Sequence, residues 1–168
     1  MYRRIDDFIS DWAMDSKGTV NVFSHLTDES LNQRVGLSAG RTLGRLAWHI
    51  TETVREMMES AGVPGVTGPE QHSPTPTSAA EITRAYEESA ASLPAALRAA
   101  WTDDVLDEYV PMYGQQWKRG TVLSALMLHQ AHHRGQMTVL MRQAGLSVPG
   151  VYGPAAEEWA AMGMPALP

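Results

Sequence analysis

Residues 120–146 read GTVLSALMLHQAHHRGQMTVLMRQAGL and contain no proline, and between Gly120 and Gly145 near the two ends the only glycine is Gly135. Apolar side chains recur at helical spacing along this stretch, which predicts one long amphipathic helix. The predicted inner face consists of Val122, Ala125, Leu126, His129, His133, Gln136 and Leu140. At helical spacing the two histidines of this face lie within about 40° of each other, so both rings are expected to point toward a neighbouring helix.

Two histidines on an apolar helix face need partners for their ring nitrogens. A buried imidazole without a partner costs free energy, and a divalent cation would bind one nitrogen of each ring. The alternative is a pair of core histidines that are hydrogen-bonded to carboxylates or backbone carbonyls. Because the chain has no cysteine, any metal site must use nitrogen and oxygen ligands.

Composition sets the class of protein. The chain has 168 residues, of which 43% are hydrophobic and 19% charged, as expected for one globular domain spanning residues 1–168. A net charge of −6 argues against a nucleic-acid-binding protein, which would normally carry a basic patch. No signal peptide and no apolar stretch of membrane-spanning length is evident, so we expect a cytoplasmic protein without a membrane partner.

Three further helices are predicted before the long one. Residues 5–23 and residues 42–62 carry apolar side chains at helical spacing. A third helix is expected to begin at Ser78, which forms a capping box with Glu81, and Pro94 is expected to kink or split it. The sequence therefore predicts an all-α protein, a four-helix bundle.

The connections between these helices differ in character. Residues 31–41 form a polar connection, and residues 63–78 are rich in glycine, proline and serine, which predicts a loop. Residues 102–120 are expected to form an extended or irregular crossover into the last helix. In the C-terminal tail, residues 147–168, the segment 155–162 is expected to form two helical turns.

The second helix adds another histidine, His49. By ideal helix geometry it lies roughly 110° from the centre of the apolar face, on a flank of the helix. Turned inward at the seam of the bundle, it would give three histidines from two helices, completed by water, as in open catalytic zinc sites. Imidazole suits zinc, nickel, iron and copper about equally, so residue type leaves the metal undetermined.

Three segments together resemble a known family. LAWHI at residues 46–50, LHQAHHRGQM at 128–137 and VPGVYG at 148–153 resemble the DinB-like superfamily of bacterial metal-binding four-helix bundles. The resemblance spans nearly the whole chain. It implies that one divalent ion, most often zinc or nickel, is bound by three histidines, His49, His129 and His133, with water completing the coordination. It also implies a homodimer.

The resemblance also implies a function. Some relatives are thiol-dependent S-transferases or isomerases that use a low-molecular-weight thiol such as bacillithiol or mycothiol, and others are described as metal-dependent hydrolases. We therefore expect a metal-dependent enzyme of the S-transferase type acting on a small-molecule substrate. The alternatives are a metal-dependent hydrolase and a non-enzymatic metal-binding stress-response module. An anion-binding cavity near the metal, sized for a thiol, would favour the transferase.

No catalytic residue is assigned from the sequence. Glu52 and His132 are candidate general bases only because they are close to the histidines along the chain, and His132 is expected at the rim of the site. Gln136 either hydrogen-bonds a ligand imidazole or a substrate, or is a core glutamine satisfied by backbone. Arg134 either pairs with a carboxylate of another helix or binds an anionic substrate.

Two groups of apolar side chains complete the predictions. Three aromatic residues wall a pocket or simply pack in the core: Trp48, Tyr113 and Trp117. Four others lie on a second face of the long helix: Leu123, Met127, Met137 and Met141. Because this second face would expose hydrophobic area in a monomer, it favours a homodimer.

Overall fold

The computed structural model describes residues 1–34 and 40–165. Its main elements are four helices: α1 (Ile5–Phe23), α2 (Leu43–Ser60), α3 (Ala79–Ala100) and α4 (Arg119–Gln143). α1 and α2 each pack against both α3 and α4, and one apolar core fills the space between them. The predicted four-helix bundle is confirmed. No helix within the described residues is long and apolar enough to cross a membrane.

Two helices begin with side-chain caps. The Thr42 hydroxyl accepts a hydrogen bond from the Arg45 N–H at 3.0 Å, and Ser78 accepts one from the Glu81 N–H at 3.4 Å. Each cap satisfies one of the N–H groups that a helix leaves unpaired in its first turn. The predicted start of the third helix at Ser78 is therefore confirmed.

Pro94 lies inside α3, which continues unbroken to Ala100. Of the two outcomes predicted for Pro94, a kink or a split, the split was wrong. Proline has no N–H to donate to the carbonyl four residues earlier, that of Ala90. The indole N–H of Trp12, which lies on α1, donates a hydrogen bond to that carbonyl at 3.0 Å. The freed acceptor is therefore satisfied by a neighbouring helix.

Residues 101–118 form a short 3-10 helix at Asp103–Asp107 and an antiparallel hairpin of strands β1 (Tyr109–Met112) and β2 (Gln115–Lys118). The predicted extended crossover is thus mainly this hairpin. Its turn residues Tyr113 and Gly114 have φ of 51° and 77°. Left-handed conformation at both positions is typical of a two-residue hairpin turn whose twist matches the strands.

The C-terminal tail forms two short 3-10 helices, Ala156–Glu158 and Ala160–Met162, which confirms the expected two turns. Parts of two predicted connections lie outside the described residues. They are residues 35–39 of the polar connection and residues 166–168 of the tail.

The apolar side chains on the second face of α4 are covered within the chain. Leu123, Met137 and Met141 are fully buried, and Met127 is partly buried against the core. These four side chains therefore do not form the exposed hydrophobic area that favoured a homodimer. They are covered because both α1 and α2 pack against α4. The homodimer itself stays a prediction.

Arg134 is buried between α4 and α1. Its terminal nitrogens bind both carboxylate oxygens of Asp15, at 2.5 and 2.8 Å, and the Thr19 hydroxyl at 2.6 Å. The Tyr152 hydroxyl of the C-terminal tail contacts both Arg134 and Asp15. The ion-pair interpretation of Arg134 is confirmed, and the guanidinium, which is 2% exposed, is not available to a substrate.

Candidate metal centre

α2 and α4 bring three histidines together across their shared seam. The Nε2 atom of His129 lies 3.2 Å from Nε2 of His49 and 3.2 Å from Nε2 of His133. One ring nitrogen from each of the three residues lies within 4.8 Å of the others. His49, placed on a helix flank by ideal geometry, thus turns into the seam.

The two nitrogen–nitrogen distances measured from His129 fit a single divalent ion. Zinc binds imidazole nitrogen at about 2.0 to 2.1 Å. Two nitrogens 3.2 Å apart, each at such a distance from one ion, would subtend roughly 100° at it, close to the tetrahedral angle. The three-histidine cluster is compatible with a divalent metal.

Hydrogen bonds at the far side of two rings fix which nitrogen faces the cluster. The amide oxygen of Gln136 lies 2.7 Å from Nδ1 of His133, and because that oxygen can only accept, Nδ1 carries the proton. The Thr53 hydroxyl donates to the Ile50 carbonyl, so its oxygen is free to accept from Nδ1 of His129 at 3.5 Å. The Nε2 lone pairs of His129 and His133 therefore face each other, an arrangement that a cation between them would stabilise.

All three rings favour their neutral form. Burial lowers the pKa of His49 to about 3, helped by the charge of Arg41 and by the two other histidines. Burial and the neighbouring histidines lower the pKa of His129 to about 4, and burial also lowers that of His133. A neutral imidazole keeps the lone pair that metal binding requires.

Gln136 and His132 lie at the rim, and both are exposed. The Gln136 amide nitrogen donates to Nε2 of His132 at 3.1 Å, while its oxygen accepts from His133. Of the two interpretations of Gln136, the contact to a histidine of the cluster is confirmed and the core position is wrong. His132 lies outside the cluster, as predicted.

Glu52 is not available as a general base. It is 1% exposed, and its carboxylate accepts from Arg45 at 2.5 and 3.2 Å and from the Ser73 hydroxyl at 3.1 Å. Trp48 is buried beside it and donates to the same Ser73 hydroxyl at 2.9 Å. Proximity to His49 along the chain was misleading here, because Glu52 faces the loop before α3.

Two cavities flank the cluster along the α2–α4 seam. The first, which we call the Arg41 cavity, has a volume of about 500 Å³ and lies toward the start of α2. Its walls include Arg41, Leu46, His133, Gln136, Val139 and Leu140.

The second cavity lies toward the end of α2 and the hairpin, and we call it the Tyr113 cavity. It has a volume of about 360 Å³. Its walls include His49, Glu56, Met57, Tyr113, Trp117 and His129. Tyr113 and Trp117 therefore line a pocket, as one of their two interpretations predicted.

Sequence reasoning missed two charged residues of these walls, Arg41 and Glu56. Glu56 had a usable signal, because it follows His49 by seven residues and so lies on the same helix face. Arg41 precedes α2 and belongs to no periodic pattern, so its place beside the histidines comes only from the fold.

The family model for the DinB family matches residues 1–165, and the chain belongs to that family. It is 43% identical over 166 residues to YrdA of Bacillus subtilis strain 168, covering 99% of this chain and 98% of that one. A solved DinB-like structure from Bacillus cereus ATCC 10987 is 40% identical, with a TM-score of 0.84, covering 90% of this chain and all of the other. The DinB-like protein YjoA of Bacillus subtilis, 18% identical over 86% of this chain and 96% of that one, shares the fold with a TM-score of 0.64.

Proposed function

We propose that this protein binds one divalent ion, zinc or nickel, through Nε2 of His49, His129 and His133, and that it is a metal-dependent S-transferase. The observation that carries the proposal is the convergence of the three rings, with Nε2 of His129 3.2 Å from Nε2 of both His49 and His133. The proposed cosubstrate is a low-molecular-weight thiol such as bacillithiol or mycothiol.

The residues around the ion would determine its chemistry. When bound, a divalent ion supplies positive charge that favours the deprotonated form of a nucleophile. Three neutral imidazoles leave that charge uncompensated, in contrast to a site with carboxylate ligands. Gln136 and Thr53 orient two of the rings, and the cluster opens to a cavity on each side, which gives two substrates access to one centre.

The Arg41 cavity supports the transferase over the hydrolase. It combines a guanidinium with apolar walls from Leu46, Val139 and Leu140, next to His133. Such a site suits a small molecule that carries an anionic group and places its thiol at the histidines. The hydrolase alternative needs a carboxylate or histidine to relay a proton. Of the two candidates, Glu52 is already bound to Arg45 and Ser73, and only His132 at the rim is left.

Metal binding is tested on the purified protein by elemental analysis and by titration of the chelator-treated protein with zinc and nickel ions. We expect about one ion per chain, loss of that ion in the double variant H129A/H133A, and retention in the matched control H132A. Equal metal content in all three proteins would contradict the site. A large fall in melting temperature on chelation of the wild type would favour the non-enzymatic module, whose ion stabilises the bundle.

Thiol transfer is tested with an aryl halide electrophile and a panel of thiols that includes bacillithiol, mycothiol and cysteine. We expect turnover that depends on both metal and thiol. In Arg41→Ala the KM for an anionic thiol should rise about tenfold with kcat little changed, and Arg41→Lys should restore most of the loss. Metal-dependent ester hydrolysis without any thiol would instead support the hydrolase.

A further inference from the structure

The Tyr113 cavity has a carboxylate at its far end. Thr53 and Glu56 follow His49 by four and seven residues, so the three side chains lie on one face of α2. The helical rise places Glu56 about 10 Å along the axis from His49, too far to share a metal with it. Glu56 is therefore positioned to contact the remote end of a molecule whose other end reaches the histidines.

The charge of Glu56 is not neutralised by the chain. Its carboxylate accepts a hydrogen bond from the Tyr113 hydroxyl at 2.8 Å and a longer one from Ser60 at 3.4 Å. Among residues 1–34 and 40–165, no lysine or arginine forms an ion pair with it. Arg55, its neighbour in sequence, instead pairs with Glu59 at 2.8 Å.

Aromatic rings surround this carboxylate. Tyr113 and Trp117 contact each other edge to face, with ring centroids 5.7 Å apart, and Met57 adds an apolar wall. Tyr113 occupies a left-handed turn position, φ 51°, where a side chain costs about 1 kcal/mol relative to glycine. A bulky residue in such a conformation is a candidate for a functional side chain.

The two cavities differ in the charge they present. The Arg41 cavity carries a guanidinium, whereas the Tyr113 cavity carries a carboxylate among aromatic rings. Aromatic faces and carboxylates both attract organic cations, and a pocket that combines them discriminates against anions. Two ligands of opposite charge would thus be directed to opposite sides of the histidine cluster.

We propose that the Tyr113 cavity binds a small organic amine, with its ammonium group at Glu56 and its apolar body against Tyr113, Trp117 and Met57. This inference rests on the proposed function only in taking as the second substrate an amine that also carries the electrophilic carbon and the leaving group that the thiolate displaces. The cavity volume of about 360 Å³ suits a molecule of roughly the size of an arylalkylamine.

The test compares three probes of similar shape by isothermal titration: benzylamine, which is an ammonium ion at neutral pH, benzyl alcohol and benzoate. We expect benzylamine to bind the zinc-loaded protein about tenfold more tightly than benzyl alcohol, and benzoate to bind this cavity least. Glu56→Gln should abolish the preference for benzylamine. Glu59→Gln, the matched change one turn further along the same helix, should leave it intact.

A second variant distinguishes recognition of the amine by the Glu56 carboxylate from a structural role of Glu56 in its hydrogen bond to Tyr113. Tyr113→Phe removes the hydrogen bond to Glu56 but keeps the carboxylate and the ring, so the preference for benzylamine should persist. If Tyr113→Phe and Glu56→Gln lose the preference equally, or if the wild type binds benzylamine no more tightly than benzyl alcohol, the inference is overturned. Metal content is measured in the same samples. Stoichiometric metal without amine preference overturns this inference alone, whereas amine preference without any metal overturns the proposed function alone.

Discussion

His133 and Arg134 are neighbours in sequence, yet they belong to two different polar clusters on opposite sides of α4. On the α1 side, both terminal nitrogens of Arg134 are bonded to Asp15, and Thr19 and Tyr152 complete the cluster. On the α2 side, the Nε2 lone pair of His133 faces another lone pair, that of His129.

This difference separates a polar cluster that the chain completes from one that it leaves incomplete. Burying polar groups costs free energy unless partners are supplied. In the Arg134 cluster the chain supplies partners to both terminal nitrogens, while the buried Nε atom has none, and the cluster holds α1, α4 and the C-terminal tail together. In the histidine cluster, Nε2 of His129 and Nε2 of His133 are turned toward each other, which is the pattern expected when a ligand completes the contact.

The largest expected effect is on the stability that the Arg134 cluster provides. Arg134→Ala would leave the Asp15 carboxylate buried and uncompensated, so we expect the free energy of unfolding to fall by about 3 to 5 kcal/mol. Metal stoichiometry should persist under conditions where the variant is folded. Urea denaturation and elemental analysis measure the two properties.

Arg142→Ala is the matched control for that prediction. Arg142 also lies on α4 and pairs with Glu157 at 2.5 Å, but at the surface. Exposed pairs contribute about 0 to 1 kcal/mol, so its loss should be small. If the two variants lost similar stability, the distinction between a completed buried cluster and an ordinary surface pair would fail.

The next largest expected effect is on the zinc affinity of the histidine cluster. Gln136→Ala removes the acceptor that orients His133, and we expect zinc affinity to fall about 10-fold to 100-fold. Because Gln136 is exposed, the stability of the metal-free protein should change little. Competition with a chromophoric chelator measures the affinity. Gln143→Ala, another exposed glutamine of α4, should bind zinc as the wild type does.

What the sequence could predict depended on whether the determining contacts were local. Helical periodicity and the Ser78 cap are local, and so is the spacing of His129 and His133, so these predictions were confirmed. For His49, ideal helix geometry gave only a flank position, and the inward turn considered beside it depends on how α2 packs against α4. The ambiguity of Arg134 was resolved only by Asp15, 119 residues away in sequence.

A third buried polar contact joins the Trp12 indole to the Ala90 carbonyl. It tests whether a buried polar group that is satisfied within the chain also stabilises another part of the fold. Trp12→Phe keeps an aromatic ring but leaves the Ala90 carbonyl without its donor, which should cost about 1 to 3 kcal/mol. The cost should shrink in a Pro94→Ala background, because alanine at that position supplies the missing backbone N–H. A double-mutant cycle of urea denaturations measures this coupling, and additive effects would show that the indole does not satisfy that carbonyl.

The smallest expected effect is the acid response of the incomplete cluster in chelator-treated protein. His49 and His129 have pKa values of about 3 and 4 in the folded chain, against about 6.5 when unfolded. Below about pH 6.5 the unfolded chain therefore binds more protons than the folded chain does. The free energy of unfolding should fall as the pH drops from about 6.5 toward 4 and should stay level just above pH 6.5. Both rings are only half-buried, so solvent screening keeps the loss modest. His129→Ala should weaken this pH dependence and His132→Ala should not, whereas the same slope in all three proteins would mean that other groups cause it.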